Sequence, residues 1–222
     1  MDIAILGGTG DFGGGLTLRW TAGGDHSVVV GSRDADRGAE AATRYERRLD
    51  QHGYDGVVTG TDNVTAAERA EVVVCSVPAY HLADTVESVA DALDAGDVLV
   101  SPAVGMKHDE SGAHYNRPGA GSVAALAARA APAEVSVVGA LHNLAAGPLV
   151  DLDVDLDWDT LVVGDDDDAV DTVVSLADDI DGVRPLRAGP LANAAEVESL
   201  TPLLINVARH NEGFHDTGVT FE

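Results

Sequence analysis

Met1-Asp2-Ile3-Ala4-Ile5-Leu6-Gly7-Gly8-Thr9-Gly10-Asp11-Phe12-Gly13 opens the chain. Residues 2–6 read as a buried strand that runs straight into glycines. Residues 13–23 read as a helix, with Leu16, Leu18 and Trp20 among its larger apolar groups. Between them Gly8, Gly10 and Gly13 satisfy G-x-G-x-x-G. Each glycine has a reason to be there. Gly8 permits a tight turn, Gly10 lets a diphosphate approach the backbone, and Gly13 permits close packing of helix on strand. The helix N-terminus then turns its free N–H groups and positive dipole end toward the anion. Strand, loop and helix in this order predict a dinucleotide-binding βαβ unit.

Working outward, Ser27 to Val30 predicts a second strand, ending at Gly31-Ser32-Arg33. A protein that prefers NAD usually places Asp or Glu at that tip to hold the ribose hydroxyls. Here no carboxylate occupies it. Ser32 can donate to a 2′-phosphate, and Arg33 can pair with it or cover the adenine. Arg37 lies one helical turn further on, in a helix predicted over 34–51 with Asp34 as N-cap. The pattern predicts NADP over NAD.

Short apolar runs then alternate with helical stretches. Strands are predicted near Val57–Val58, over Glu71–Val77 and Asp97–Ser101, and over Glu134–Gly139; helices fall between them. Such runs indicate a parallel sheet covered on both faces. Residues 103–120 hold many Gly, His, Ser and Pro and read as a functional loop or lid. Beyond about 145, strands are predicted at Leu161–Val163 and Arg184–Arg187, a helix from Asp165–Asp168 to Asp179, and one long apolar helix over 191–211. The expected fold is α/β, a Rossmann-type doubly wound parallel sheet (1–140) with a small C-terminal α/β domain (141–222).

Composition narrows the setting. Asp plus Glu number 38 against 13 Lys plus Arg, a formal charge of −25, and Lys107 is the one lysine. A polyanion repels phosphate, so general binding to nucleic acid or to an anionic membrane is excluded. The 45% apolar content excludes disorder. Abundant Asp with almost no Lys predicts a cytoplasm of molar salt, where the Debye length is roughly 3 Å. Cys75 is the single cysteine, so no intramolecular disulfide or Cys-based zinc site is expected. The eight histidines lack an H-E-x-x-H context, and no metal site is expected. No apolar run reaches the ~20 residues of a membrane span. The opening residues lack a signal peptide's basic region, and a cytoplasmic protein is expected.

Gly7 to Gly13 and Val30 to Arg33 together resemble the archaeal F420-dependent NADP reductases, in a halophilic version. So do Val100-Ser101-Pro102, Ala140-Leu141-His142-Asn143, Gly164-Asp165-Asp166-Asp167, Gly182 to Leu186, Ala188-Gly189-Pro190-Leu191 and Glu198-Ser199-Leu200-Thr201-Pro202-Leu203. The resemblance spans essentially the whole chain; its last two motifs are the most particular. It implies a Rossmann domain, a small C-terminal domain and a homodimer. It implies NADP contacts from Thr9, Gly10, Asp11 and Phe12 along the diphosphate, and from Ser32, Arg33 and Arg37 around the 2′-phosphate. Val77, Val104 and Ala145 would pass the nicotinamide. Coenzyme F420 would lie over it, near His142, Asn143, Leu144 and the helix from Leu203 to Val207.

Both reacting carbons then belong to cofactors, stacked about 3–3.5 Å apart, and the protein supplies orientation and environment. No dedicated general acid or base is expected. Three alternatives remain: an NADP-dependent imine or carbonyl reductase, a reductase using an ordinary flavin, and a non-catalytic NADP sensor. The long apolar helix exceeds what so small a C-terminal domain should bury alone, and part of it is read as a dimer contact. Coenzyme F420 carries a phosphate and a glutamate tail, so its approach to a chain of −25 needs screening by salt.

Overall fold

The computed structural model describes residues 1–23 and 26–222. Strands β1 (Asp2–Leu6), β2 (Ser27–Ser32), β3 (Val58–Asp62), β4 (Val72–Cys75), β5 (Val98–Ser101) and β8 (Ser136–Gly139) are parallel and lie in the order 3-2-1-4-5-8. This is the doubly wound order, with its switch point between β1 and β4, where open α/β sheets leave a crevice at the strand C-termini. The same sheet continues through β9 (Trp158–Gly164) and β10 (Val183–Arg187). β9 runs antiparallel to β8 and pairs with it only at Val138↔Gly164 and Gly139↔Val163. Its first residues therefore project past the C-terminal edge of β8.

Helices α1 (Asp11–Gly23), α2 (Ala35–His52), α6 (Ala146–Val150) and α7 (Asp167–Asp178) belong to one layer. α1 joins α7 in the largest core, where the Trp20 indole N–H donates to the Leu176 carbonyl at 2.7 Å. The other layer holds α3 (Asn63–Ala67), α4 (Ala79–Val89) and α5 (Val123–Ala130), packed on Ala4, Leu6, Val73 and Leu99. Central strands bury every residue, because both faces are covered.

Two expectations change. Residues 103–120 are not a plain loop: Met106–Asp109 (β6) and Gly112–Tyr115 (β7) form an antiparallel hairpin. It is held from outside. The Asn206 amide accepts from the Ala113 N–H at 2.8 Å and donates to the Ala113 carbonyl at 2.7 Å, taking the place of a neighbouring strand. The long helix over 191–211 is broken into a 3₁₀ turn (Leu191–Asn193), α8 (Ala194–Glu198) and α9 (Leu200–His210). Pro202 explains the break, because its ring excludes the bond to the Glu198 carbonyl that a continuous helix needs.

Candidate functional site

The turn after β1 is built by three glycines, but not as the spacing predicts. Gly7, not Gly8, takes the left-handed conformation (φ +73°), and a Cβ there would lie 2.6 Å from the Ser76 carbonyl. Gly8 is needed for closeness: its Cβ would meet the Ile5 carbonyl at 2.7 Å. Its N–H is already bonded to Ile5 and Gly31 carbonyls, at 3.0 and 3.2 Å, so Gly8 shapes the loop and has no donor left for a phosphate. At Gly13 a Cβ would lie 2.7 Å from the Gly8 Cα and 2.9 Å from the Ser76 hydroxyl, the close helix–strand approach expected of it. Gly10 differs from all of these. Its Cβ would meet nothing nearer than the Gly7 carbonyl at 4.0 Å. The first bond of the helix runs from the Gly14 N–H to the Gly10 carbonyl at 2.8 Å. The N–H groups of Asp11, Phe12 and Gly13 are thereby left without helical partners, beside open space at Gly10. Thr9 lies between, half-buried. This arrangement fits a diphosphate.

At the tip of β2, Ser32 is buried and its hydroxyl accepts the Asp34 N–H at 3.3 Å. Asp34 is committed to capping α2, accepting from the Asp36 and Arg37 N–H groups. Arg33 and Arg37 are exposed, and neither forms an ion pair among the described residues. Two free guanidinium groups beside a spent carboxylate fit a 2′-phosphate.

A cavity of ≈ 630 Å³ opens from the crevice. Phe12, Val77, Val104, His142, Asn143, Leu144 and Ala145 all line it, so residues separated by 130 positions meet there. The approach of Gly7 to Ser76 and Val77 joins the loops after β1 and β4. The chain after β8 is turned by Leu141, held at φ +65°, a conformation that a bulky residue rarely adopts outside functional sites. The projecting start of β9 braces this turn. Thr160 accepts the Leu141 N–H at 3.2 Å, and Asn143 is fixed between the Thr160 hydroxyl and the Asp159 carbonyl. The Asn143 amide is therefore a brace, and the Thr160–Asn143 pair fixes the wall.

His142 is fully buried, with both ring nitrogens lacking partners among the described residues. Burial alone pushes its pKa down to about 4, so the ring is neutral at any working pH. The unfolded chain takes up the proton near pH 6.5 and the folded chain does not, so stability falls as pH drops from about 6.5 toward 4. One proton gives a slope of about 1.4 kcal/mol per pH unit. Urea titrations at pH 7 and pH 5 should show His142→Gln losing that part of the slope; an unchanged slope would place its cause elsewhere.

The far wall departs from expectation. Thr201, Leu204, Ile205 and Ala208 line it at helical spacing, whereas Val207 stands beside this stripe and is not in the lining. Met106 of the hairpin and Asp216 and Thr217 of the C-terminal segment complete it. Asp216 is the one charged lining residue among those described. The segment is tied down at long range. Asp159, itself buried, takes Arg184 in a bidentate pair at 2.6 and 2.7 Å and also accepts the Phe221 N–H. The Asp159 N–H donates to the Val219 carbonyl at 2.7 Å. The Glu198-Ser199-Leu200-Thr201-Pro202 motif is likewise explained by bracing. Buried Glu198 accepts from the Val123 and Ala124 N–H groups and from the Tyr115 hydroxyl, which offsets the burial that raises its pKa. Thr201 donates to the His142 carbonyl at 2.7 Å.

Comparison with known proteins gives the same answer along nearly the whole length. The family model described as "NADP oxidoreductase coenzyme F420-dependent" matches residues 2–105. The F420-dependent NADP reductase of Methanothermobacter marburgensis is 39% identical over 210 residues, covering 93% of this chain and 92% of that protein. The protein of the same description from Methanocaldococcus jannaschii is 36% identical over 209 residues, covering 93% and 92%. The chain belongs to the F420-dependent NADP reductase family. A crystal structure described as a putative F420-dependent NADP reductase from Arthrobacter superposes with a TM-score of 0.75 at 26% identity, covering 93% of each chain. In this family member the buried thiol of Cys75, pushed up to about 12 by desolvation, is core and not a nucleophile. Among the described residues no helix is long and apolar enough to cross a membrane, and no cluster of metal-binding side chains is present.

Proposed function

We propose that the protein passes a hydride between reduced coenzyme F420 and NADP, the two rings stacked in the ≈ 630 Å³ cavity. The observation that carries this reading is the continuity of that cavity with the glycine loop through Phe12, whose backbone N–H lies at the N-terminus of α1. Bound together, the two cofactors supply the whole of the redox chemistry. The chain's own residues do the rest. Thr9, Gly10, Asp11 and Phe12 hold the diphosphate; Ser32, Arg33 and Arg37 hold the 2′-phosphate. Val77, Val104 and Ala145 flank the nicotinamide, while His142, Leu144, Leu204 and Thr217 surround the deazaflavin and keep water out. His142 stays neutral and moves no proton. In functional terms residues 1–140 form the NADP part, and 141–222 complete the deazaflavin cleft.

Mixing protein, NADP and reduced F420 should restore the absorbance band of oxidised deazaflavin, with no turnover of reduced flavins or imines. NADP binding without turnover of any donor would instead make the protein a sensor. Arg37→Ala should raise KM for NADP about tenfold and leave that for NAD unchanged, the loss of one charge-assisted contact. Equal effects on both would remove Arg37 from the 2′-phosphate.

We further propose a cytoplasmic, halophilic homodimer. The charge of −25 supports the salt dependence, and activity should rise with KCl well above physiological levels elsewhere. On the side of α9 turned away from the cavity, Leu203, 56% exposed and absent from the lining, supports the dimer. Light scattering in high salt should give twice the chain mass, and Leu203→Asp should return it to one; a monomeric parent would overturn this.

A further inference from the structure

Arg44, Arg47 and Arg48 lie on the C-terminal half of α2 with Tyr45, Gln51 and His52, facing Asp151 and Asp153 across a groove of ≈ 540 Å³. The charge distribution is unexpected. The chain has 38 acidic residues and 13 Lys plus Arg, yet none of these three arginines forms an ion pair among the described residues. The acids across the groove are partly engaged elsewhere. Asp151 accepts the Asp153 N–H at 3.2 Å, and Asp153 lies 3.6 Å from the His52 Nε2. The His52 Nδ1–H donates to the Arg48 carbonyl at 2.8 Å, which fixes the ring in the groove. The Arg44 guanidinium sits 5.6 Å from the centre of the Tyr45 ring. The Tyr45 hydroxyl donates to the Gly8 carbonyl at 2.9 Å, so the floor of the groove is bonded to the phosphate loop. The groove is also close to the ring cavity. Ala146 lines the cavity, Asp151 lines the groove, and helix α6 joins them with about 7.5 Å of rise.

We propose that this groove binds an anion carrying closely spaced phosphate and carboxylate groups. Guanidinium forks are matched to such groups, singly or in pairs. At molar salt long-range attraction is screened, so an anion is held only by direct contact, and this groove brings three unpaired arginines together to make it. Two sources share the chemistry. One is the phosphate-and-glutamate tail of a coenzyme whose ring fills the neighbouring cavity, and that source rests on the proposed function. The other is a free polyanion, which does not.

Inorganic pyrophosphate is the probe, titrated calorimetrically into NADP-saturated protein at fixed KCl so that the dinucleotide's own phosphate sites are filled. One site per chain is expected, weakened about tenfold or more in Arg47→Gln/Arg48→Gln. Urea denaturation checks that the variant is folded; both side chains lie at or near the surface. No binding to the parent, or equal binding to the variant, overturns the proposal. The source is read from KM. A rise of about tenfold in the variant for tail-bearing F420, with none for a deazaflavin lacking the tail, assigns the groove to the tail. Unchanged KM for both assigns it to a free polyanion. Failure of the redox reading would show separately, as no turnover of F420 by the parent, and would leave the pyrophosphate result standing.

Discussion

Gly10→Ala is expected to cut NADP affinity about a hundredfold while leaving stability within about 1 kcal/mol of the parent. The two halves of this result have separate causes. The added methyl meets no protein atom nearer than 4.0 Å, and Gly10 is not among the positive-φ residues, so the fold has no reason to object. The same methyl occupies the space beside the N–H groups of Asp11, Phe12 and Gly13, where the proposed diphosphate site needs bare backbone. The neighbouring glycines serve as controls. Gly13→Ala drives a methyl to 2.7 Å from the Gly8 Cα, and Gly7→Ala adds a left-handed strain to a 2.6 Å clash with the Ser76 carbonyl. Both should lose stability and binding together. Calorimetric titration with NADPH and urea denaturation at the same KCl concentration separate the cases. A Gly10→Ala protein that binds NADPH within threefold of the parent would move the dinucleotide away from this loop.

The nucleotide half of the molecule is written locally, and the sequence is explicit about it. β1, the glycine turn and α1 are consecutive, and Asp34 caps α2 as the spacing predicts. The detail that escaped was which glycine turns and which merely fits, because both need the same residue type and differ only in φ. The second half of the cavity is non-local. Asp216 and Thr217 reach the wall because Asp159 and Arg184, on neighbouring strands, hold Phe221. No spacing in a single sequence announces such a clamp. The hairpin at 106–115 carries no alternating apolar pattern on β6, all four residues of which are exposed. It exists because Asn206 and Glu198 grip its second strand. For the helix over 191–211, the apolar period outweighed Pro202 in the sequence; in the structure Pro202 prevails, and α9 turns Thr201, Leu204, Ile205 and Ala208 into the cavity. Val207, one residue before Ala208, stands outside that lining.

Arg19→Met should destabilise the protein by about 3–5 kcal/mol, a loss on the scale of a large core truncation. Arg19 is 9% exposed and has no carboxylate partner among the described residues. Its guanidinium instead donates to four carbonyls in one stretch of chain: Leu149 at 3.2 Å, Pro148 at 2.8 Å, Asp151 at 2.6 Å and Val154 at 2.8 Å. Burial pulls its pKa down from the usual arginine value, with Tyr54 and nearby acids partly opposing this, so the cation pays for its place in desolvation. Methionine fills similar volume but leaves those carbonyls without their donor. Lysine, with three donors and a shorter reach, should recover roughly half of the loss. The consequence reaches the site, because the gripped stretch continues α6, which packs so closely on α1 that a Cβ at Gly15 would lie 2.6 Å from the Leu149 Cβ. At its other end α6 begins with Ala146, in the cavity wall next to Ala145. Loosening this clamp should therefore raise KM for the deazaflavin more than KM for NADP, whose phosphates we assign to the opposite end of α1. Urea denaturation of Met and Lys variants at fixed KCl, with both KM values, tests the two links together. A loss below about 1 kcal/mol would mean that water replaces the guanidinium at those carbonyls and that α6 holds its place by packing alone.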